Sequence, residues 1–104
     1  MGENLRRMPR ERRRLRVQLE EVNIASFTAD VSPGGFCIEA MQVLPKGTTV
    51  HGTIGLGSAE FPFTGKIAWA LAPDSRIGKR GRMGVQFTGI ANDFFVAYQK
   101  AFET

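Results

Sequence analysis

The fold of this chain is decided by the stretch FPFTGKIAWAL, residues 61–71, which has apolar residues or glycine at every second position. Side chains alternate between the two faces of a β-strand, so this spacing predicts a strand with one buried face. The predicted inward set is Phe61, Phe63, Gly65, Ile67, Trp69 and Leu71. Because Trp69 falls on the same face of the predicted strand as the inward residues, a core position is at least as well supported for it as a surface position.

Five shorter segments of the same kind surround this stretch. Alternation, or enrichment in β-branched and aromatic residues, predicts strands from Val17, over 22–30, at 36–38, over 48–56 and over 82–90. Turn formers separate them, among them Leu44-Pro45-Lys46-Gly47 and Gly57-Ser58. Six short strands favour an all-β fold, a small six-stranded antiparallel barrel, because closure leaves no exposed edge strand.

The C-terminal residues follow a different period. Apolar and aromatic side chains recur at helical spacing, namely Phe94, Phe95, Ala97, Tyr98, Ala101 and Phe102. Asn92 suits an N-cap, and Asp93 is favourable in a first helical turn. The pattern predicts a C-terminal α-helix that lays an aromatic face against the sheet.

Positive charge is confined to the N-terminal part of the chain. Residues 1–16 hold seven Arg and two Glu, whereas the remaining residues hold seven Lys or Arg and eight acidic groups. The net charge of +4 therefore belongs to a basic arm on a nearly neutral body. Residues 1–9 lack periodicity and are expected to be a disordered tail, with a single domain over residues 10–104.

The composition excludes several functional classes. No stretch approaches the roughly 20 apolar residues that span a bilayer, so no membrane insertion is expected. With one Cys and one His, zinc and haem sites of known spacing are excluded, and the single Cys37 fits a reducing, cytoplasmic compartment. His51 is isolated on the outer face of its strand, and Glu20 and Glu21 are predicted on opposite faces. No catalytic constellation is found, so an enzyme is not expected.

Two motifs have complementary chemistry. The first is the run Arg10-Glu11-Arg12-Arg13-Arg14-Leu15-Arg16, and the second is the turn-rich segment Asp30-Val31-Ser32-Pro33-Gly34-Gly35. A guanidinium group binds phosphate, or the O6/N7 edge of guanine, with two hydrogen bonds. The Asp30 carboxylate suits the N1–H and N2–H₂ donors of guanine, whereas a site for a plain polyanion would exclude a carboxylate. Arginines facing one carboxylate indicate a guanine nucleotide site.

On these residues the sequence resembles the PilZ domain family, the bacterial receptor module for cyclic di-GMP. The family's R-x-x-x-R motif, followed by an apolar residue, matches Arg12 to Arg16 with Val17. Its D-x-S-x-x-G motif matches Asp30, Ser32 and Gly35 at every fixed position. Residues 65–69 and 82–87 also resemble later strands of the family. The two motifs together, between predicted strands, are far more specific than an R-x-x-x-R in an Arg-rich tail.

The resemblance implies a barrel with a C-terminal helix and a site for cyclic di-GMP, with no other cofactor. It assigns Arg12 and Arg16 to phosphates and guanine edges, Asp30 and Ser32 to the barrel side of the site, and Gly35 to the turn. Trp69 matches a position that lies near a guanine in some members. The register of the arginine motif stays open, because Arg10 and Arg14 have the same spacing. Ligand binding is expected to order the flexible basic arm over the barrel and to present a surface to a downstream protein.

Two other functions are compatible with the same sequence. A small barrel with a basic arm could bind single-stranded nucleic acid, but the predicted inward direction of the aromatic residues disfavours this. A PilZ-like interaction module that binds no nucleotide is the other alternative, and the complete set of Asp30, Ser32 and Gly35 disfavours it. No nucleic-acid partner is therefore expected.

Overall fold

A computed structural model describes residues 14–22 and 24–102 of the chain, apart from the side chain of Phe102. Arg12, Arg10 and the predicted disordered tail over residues 1–9 lie outside the described residues, as does most of the basic arm.

The described residues form a closed six-stranded barrel with one α-helix. The elements are β1 (Arg16–Leu19), β2 (Ile24–Ser32), β3 (Gly35–Ala40), β4 (Thr49–Leu56), β5 (Ala59–Leu71), β6 (Gly81–Ile90) and α1 (Asn92–Phe102), with a 3₁₀ turn at Ser75–Ile77. All neighbouring strands are antiparallel, in the order β1-β2-β3-β6-β5-β4, and β1 closes the barrel by pairing with β4. The predicted fold class is confirmed.

Apolar side chains at alternate positions along the strands fill the barrel interior. Leu19, Ile38, Val50, Ile54 and Met83 are fully buried. These are inward positions on β1, β3, β4 and β6, and the period-two pattern of the sequence predicts the buried face of β1, β4 and β6.

Helix α1 covers the interior with an aromatic face. Phe94 is fully buried, and its ring centroid lies 5.6 Å from that of Phe61 and 5.5 Å from that of Phe87, both edge to face. Tyr98 is also buried, and its hydroxyl donates to the carbonyl of Val31 over 3.4 Å. The predicted aromatic face is confirmed for Phe94 and Tyr98, but Ala101 is exposed to solvent.

The turn between β2 and β3 is tighter than its sequence indicates. Only Pro33 and Gly34 form the turn, whereas Asp30 and Ser32 belong to β2 and Gly35 begins β3. The β2–β3 register shifts between Thr28 and Asp30, so one extra residue is accommodated on β2. The second motif therefore lies on the paired ends of two strands.

The predicted inward position of Trp69 is wrong. The β5–β6 register runs from Ile67 opposite Val85 to Trp69 opposite Gly84, which inserts one extra residue on β5 between them. Such a β-bulge moves the side chains of all later residues on the strand to the opposite face of the sheet. Ile67 is consequently buried, while Trp69 and Leu71 are 39% and 57% exposed.

Glu20 and Glu21 lie in the turn after β1, so the predicted placement of both on a strand is also wrong. The Glu21 carboxylate contacts β4: the His51 backbone N–H donates to Oε1 over 2.8 Å, and His51 Nδ1 lies 2.6 Å from Oε2. The hydrogen bond from the His51 backbone, followed by that from its ring, lowers the pKa of Glu21 below 4.5. This contact joins β1 and β4, the two strands that close the barrel.

Removing this contact is expected to change the pH dependence of stability. Because the pKa of Glu21 is lower in the folded state, its contribution is present above pH 4.5 and is lost as the pH falls through the folded value. We expect Glu21→Gln to cost about 0.3–1 kcal/mol at neutral pH, as is typical of exposed polar contacts, and less in acid. Urea unfolding at pH 7 and pH 3 measures this, with Glu20→Gln as the control. An equal cost at both pH values would contradict the assignment.

Candidate ligand-binding site

The outer face of the barrel carries a row of residues that crosses four strands. Asp30 on β2 pairs with Cys37 on β3, Cys37 pairs with Gly84 on β6, and Gly84 pairs with Trp69 on β5. The row therefore places a carboxylate at one end and an indole ring at the other, with two small residues between them.

A pocket of about 400 Å³ lies over this row. Its lining comprises Asp30, Ser32, Gly34, Gly35, Phe36, Cys37, Ala68, Trp69, Gly84, Val85 and Gln86. Four of the six residues predicted from the sequence thus line one pocket, namely Asp30, Ser32, Gly35 and Trp69. They lie up to 39 positions apart in the chain, and the barrel brings them together.

The two polar motif residues face this pocket because of the strand geometry of β2. The bulge before Asp30 places Asp30 and Ser32 on the outer face, with Val31 between them fully buried. The Val31 carbonyl accepts a hydrogen bond from the Tyr98 hydroxyl, which ties this segment of β2 to helix α1. Ser32 is only 9% exposed, so its hydroxyl is a recessed group at the pocket wall.

Gly84 is a pocket residue that the sequence analysis did not identify. A Cβ at this position would overlap the indole ring of Trp69, so the absence of a side chain creates the slot in which the ring lies. Glycine in the interior of a strand often marks a close approach by another group. The position of Gly84 inside the predicted strand 82–90 was the sequence signal that could have identified it.

Gly35 begins β3 and does not lie in the turn to which the resemblance assigns it. A Cβ on Gly35 would overlap the carbonyl oxygen of Val85, the backbone of the adjacent strand β6. The close approach that requires glycine is therefore between β3 and β6. Gly35 thus allows β3 and β6 to pack closely where both strands line the pocket.

The structure does not bring Arg16 to this pocket. Arg16 Nη2 donates to the Gly57 carbonyl over 3.0 Å, and its guanidinium lies over Gly55 of β4. Arg16 pairs with Phe27, three residues before Asp30, which corresponds to roughly 10 Å along the strand.

Arg16 lines a second pocket, of about 430 Å³, together with Arg14, Phe27, Glu60 and Arg80. The Arg14 guanidinium lies 5.0 Å from the centroid of the Phe27 ring, within the range of a cation–π contact. Three guanidinium groups and an exposed aromatic ring therefore line this second pocket on the barrel surface.

The start of the chain is tied to β2. The Leu15 N–H donates to Thr28 Oγ1, and the Thr28 N–H donates to the Leu15 carbonyl, both over 2.9 Å. Since β1 and β2 are antiparallel, the described chain from Arg16 back to Arg14 runs toward the Asp30 end of β2.

Within residues 14–22 and 24–102, no cluster of His, Cys, Asp or Glu could hold a metal ion. The helix found in the same part of the chain is too short and too polar to cross a membrane.

Comparison with known proteins identifies a family and a fold. A family model described as PilZ domain matches residues 4–97. Among solved structures, the Bacillus subtilis inhibitor of motility MotI/DgrA is similar with a TM-score of 0.71 at 15% sequence identity. The similarity covers 93% of this chain and 52% of that one, so the chain spans about half the length of that protein. No curated protein matches the sequence.

Proposed function

The chain belongs to the PilZ domain family, a family of cyclic di-GMP-binding signalling modules, and on that premise we propose that it is itself a cyclic di-GMP receptor. Members of the family act as receptor and adaptor modules. We further propose that residues 10–104 form the receptor domain and that it acts through a downstream protein in the cytoplasm.

The observation that carries this proposal is the pocket over the row from Asp30 to Trp69. Its carboxylate can accept hydrogen bonds from the N1–H and N2–H₂ of a guanine, which are both donors. The exposed Trp69 ring offers a stacking surface for a purine, and the recessed Ser32 hydroxyl can donate to a phosphate or a carbonyl. Donor and acceptor chemistry therefore fits a guanine nucleotide better than a simple anion.

The arginines supply the other half of the proposed site. Arg16 would leave the Gly57 carbonyl and turn toward the ligand, and Arg12 would bind a phosphate or guanine edge from the arm. The direction of the chain from Arg16 to Arg14, toward Asp30, supports this arrangement. Neutralising the mutual repulsion of the arginines by the two phosphates would order the arm over the barrel.

Isothermal titration with cyclic di-GMP tests the proposal, with Arg16→Lys as the first variant. We expect saturable binding by the wild type, and binding at least about tenfold weaker by Arg16→Lys, since an ammonium group keeps the charge but loses the two-pronged geometry. Arg76→Lys is the matched control, because Arg76 lies on an exposed hairpin and pairs with Asp74.

The titration distinguishes the parts of the proposal. Absence of heat with the wild type would reject cyclic di-GMP as the ligand. Equal affinities for the wild type and Arg16→Lys would keep the ligand and remove Arg16 from the site. The stoichiometry reports whether one nucleotide or a stacked pair is bound.

One observation favours a second candidate, binding of single-stranded nucleic acid. Phe27 and Trp69 are 46% and 39% exposed, so two aromatic rings face outward, and Phe27 contacts the Arg14 guanidinium. Exposed rings beside cationic groups are typical of single-strand binding surfaces. A gel shift with single-stranded DNA at increasing salt, with and without cyclic di-GMP, separates the two functions.

A further inference from the structure

Strand β5 has an unpaired edge at its C-terminal end. Its pairing with β4 ends at Lys66 opposite Thr49, and two further backbone hydrogen bonds join Ile67 to Gly47 and Thr48. Beyond Ile67, β5 continues to Leu71 with β6 as its strand neighbour. Along residues 68–71, no backbone hydrogen bond to other described residues occupies the side facing away from β6.

The residues of this edge carry none of the charges or prolines that normally protect an exposed strand. Natural proteins discourage pairing at an edge with charged residues or proline, or by covering it. Residues 68–71 are Ala, Trp, Ala and Leu, with neither a charge nor a proline. The edge is therefore chemically open to an added strand of about four residues, roughly 13 Å long.

A groove of about 470 Å³ runs beside the edge. One wall is the segment Val43, Leu44, Pro45 and Lys46, and the other is formed by Trp69, Ala70 and Ala72. Leu71 is 57% exposed on the outer face of the same strand end. The apolar walls offer side-chain contacts on both sides of a strand laid along β5.

The groove carries a positive charge on one wall, at Lys46. Within the part of the chain that the structure describes, Lys46 forms no ion pair, so its ammonium group is available to an acidic side chain.

We propose that the free edge of β5 over residues 68–71 binds an extended acidic–apolar segment of a partner protein by β-strand addition. Backbone hydrogen bonds to the edge would provide the pairing, apolar side chains would fill the groove, and an acidic side chain would face Lys46. The chain's own arm is a poor occupant, because residues 1–16 carry a net charge of +5 and would meet the positive charge of Lys46. The groove shares Trp69 with the ligand pocket but does not require that pocket to be filled.

The test begins with selection of random octapeptides displayed on phage against the purified full chain, without nucleotide. We expect enrichment of peptides in which acidic and apolar residues alternate. The most enriched peptide, added to the full chain, should slow hydrogen exchange of the backbone amides over residues 68–71. Protection confined to other residues would overturn the proposal, as would enrichment of basic peptides or no enrichment.

Variants with matched controls locate the contact. Leu71→Asp and Lys46→Glu should each weaken binding of the selected peptide at least about tenfold, because they remove an apolar contact or reverse the charge on the groove wall. Val96→Asp and Lys100→Glu make the same changes on helix α1 and should leave the affinity unchanged; equal losses in all four would overturn the proposal. Sedimentation gives the remaining outcome, since a dimer abolished by Leu71→Asp would assign the edge to a second copy of the chain. Cyclic di-GMP is absent throughout, so failure here leaves the receptor proposal standing.

Discussion

Phe94→Ala is expected to lower the free energy of unfolding by about 3–5 kcal/mol, the usual cost of truncating a buried phenylalanine. Phe94 is fully buried, and its ring contacts those of Phe61, Phe87, Phe95 and Tyr98. Truncation removes the ring that joins helix α1 to the barrel interior. Small domains have a total stability of about 5–15 kcal/mol, so the variant should be marginally stable.

Urea denaturation followed by circular dichroism measures this effect. Val96→Ala is the matched control, because Val96 lies on the same helix but is 44% exposed, and its cost should stay below about 0.5 kcal/mol. Phe94→Leu keeps most of the buried volume and should fall between the two. A cost below about 1 kcal/mol for Phe94→Ala would mean that the helix does not seal the core.

Asp30→Asn is expected to weaken cyclic di-GMP binding by roughly tenfold to a hundredfold. The carboxylate can accept hydrogen bonds from both guanine donors. An amide keeps one acceptor oxygen but places an NH₂ donor group opposite the other guanine donor. Hydrogen bonds to a charged group are worth about 1.5–3 kcal/mol, which corresponds to this range of affinity. Asp30 is half-buried at the end of the pocket, so water replaces the lost contacts poorly.

The measurement is a calorimetric titration at fixed salt, with the melting temperature recorded for each variant. Asp93→Asn is the control, because it makes the same chemical change at an exposed residue in the first turn of α1. Equal affinity of Asp30→Asn and wild type, with both folded, would show that the carboxylate does not contact the nucleotide. A loss of affinity in both variants would indicate a nonspecific effect of charge.

The strands and the helix could be predicted because each depends on a local pattern, and the barrel was inferred from the number of strands. Period-two alternation identifies one face of each strand from a few neighbouring residues, and helical spacing identifies the aromatic face of α1. The motif of Asp30, Ser32 and Gly35 could be found for the same reason, since its members are adjacent in the chain.

The orientation of Trp69 could not be predicted in this way. A single extra residue on β5 moves all later side chains to the opposite face of the sheet. The sequence of β5 alone does not show where that residue is inserted. Gly84 explains the outcome, because only a residue without a side chain on β6 leaves room for the indole ring on the outer face. The deciding contact thus joins residues 15 positions apart on two strands.

By itself, the sequence determined a six-stranded barrel with a C-terminal helix, a basic arm and a motif typical of guanine nucleotide recognition. Only the tertiary structure decided which of these residues share a surface. It placed Trp69 in one pocket with Asp30 and Ser32, and it held Arg16 about 10 Å along the strand, against Gly57. The physical reason is that composition and periodicity act through neighbours in the chain, whereas bulges, strand register and barrel closure set distances between residues that are remote in sequence.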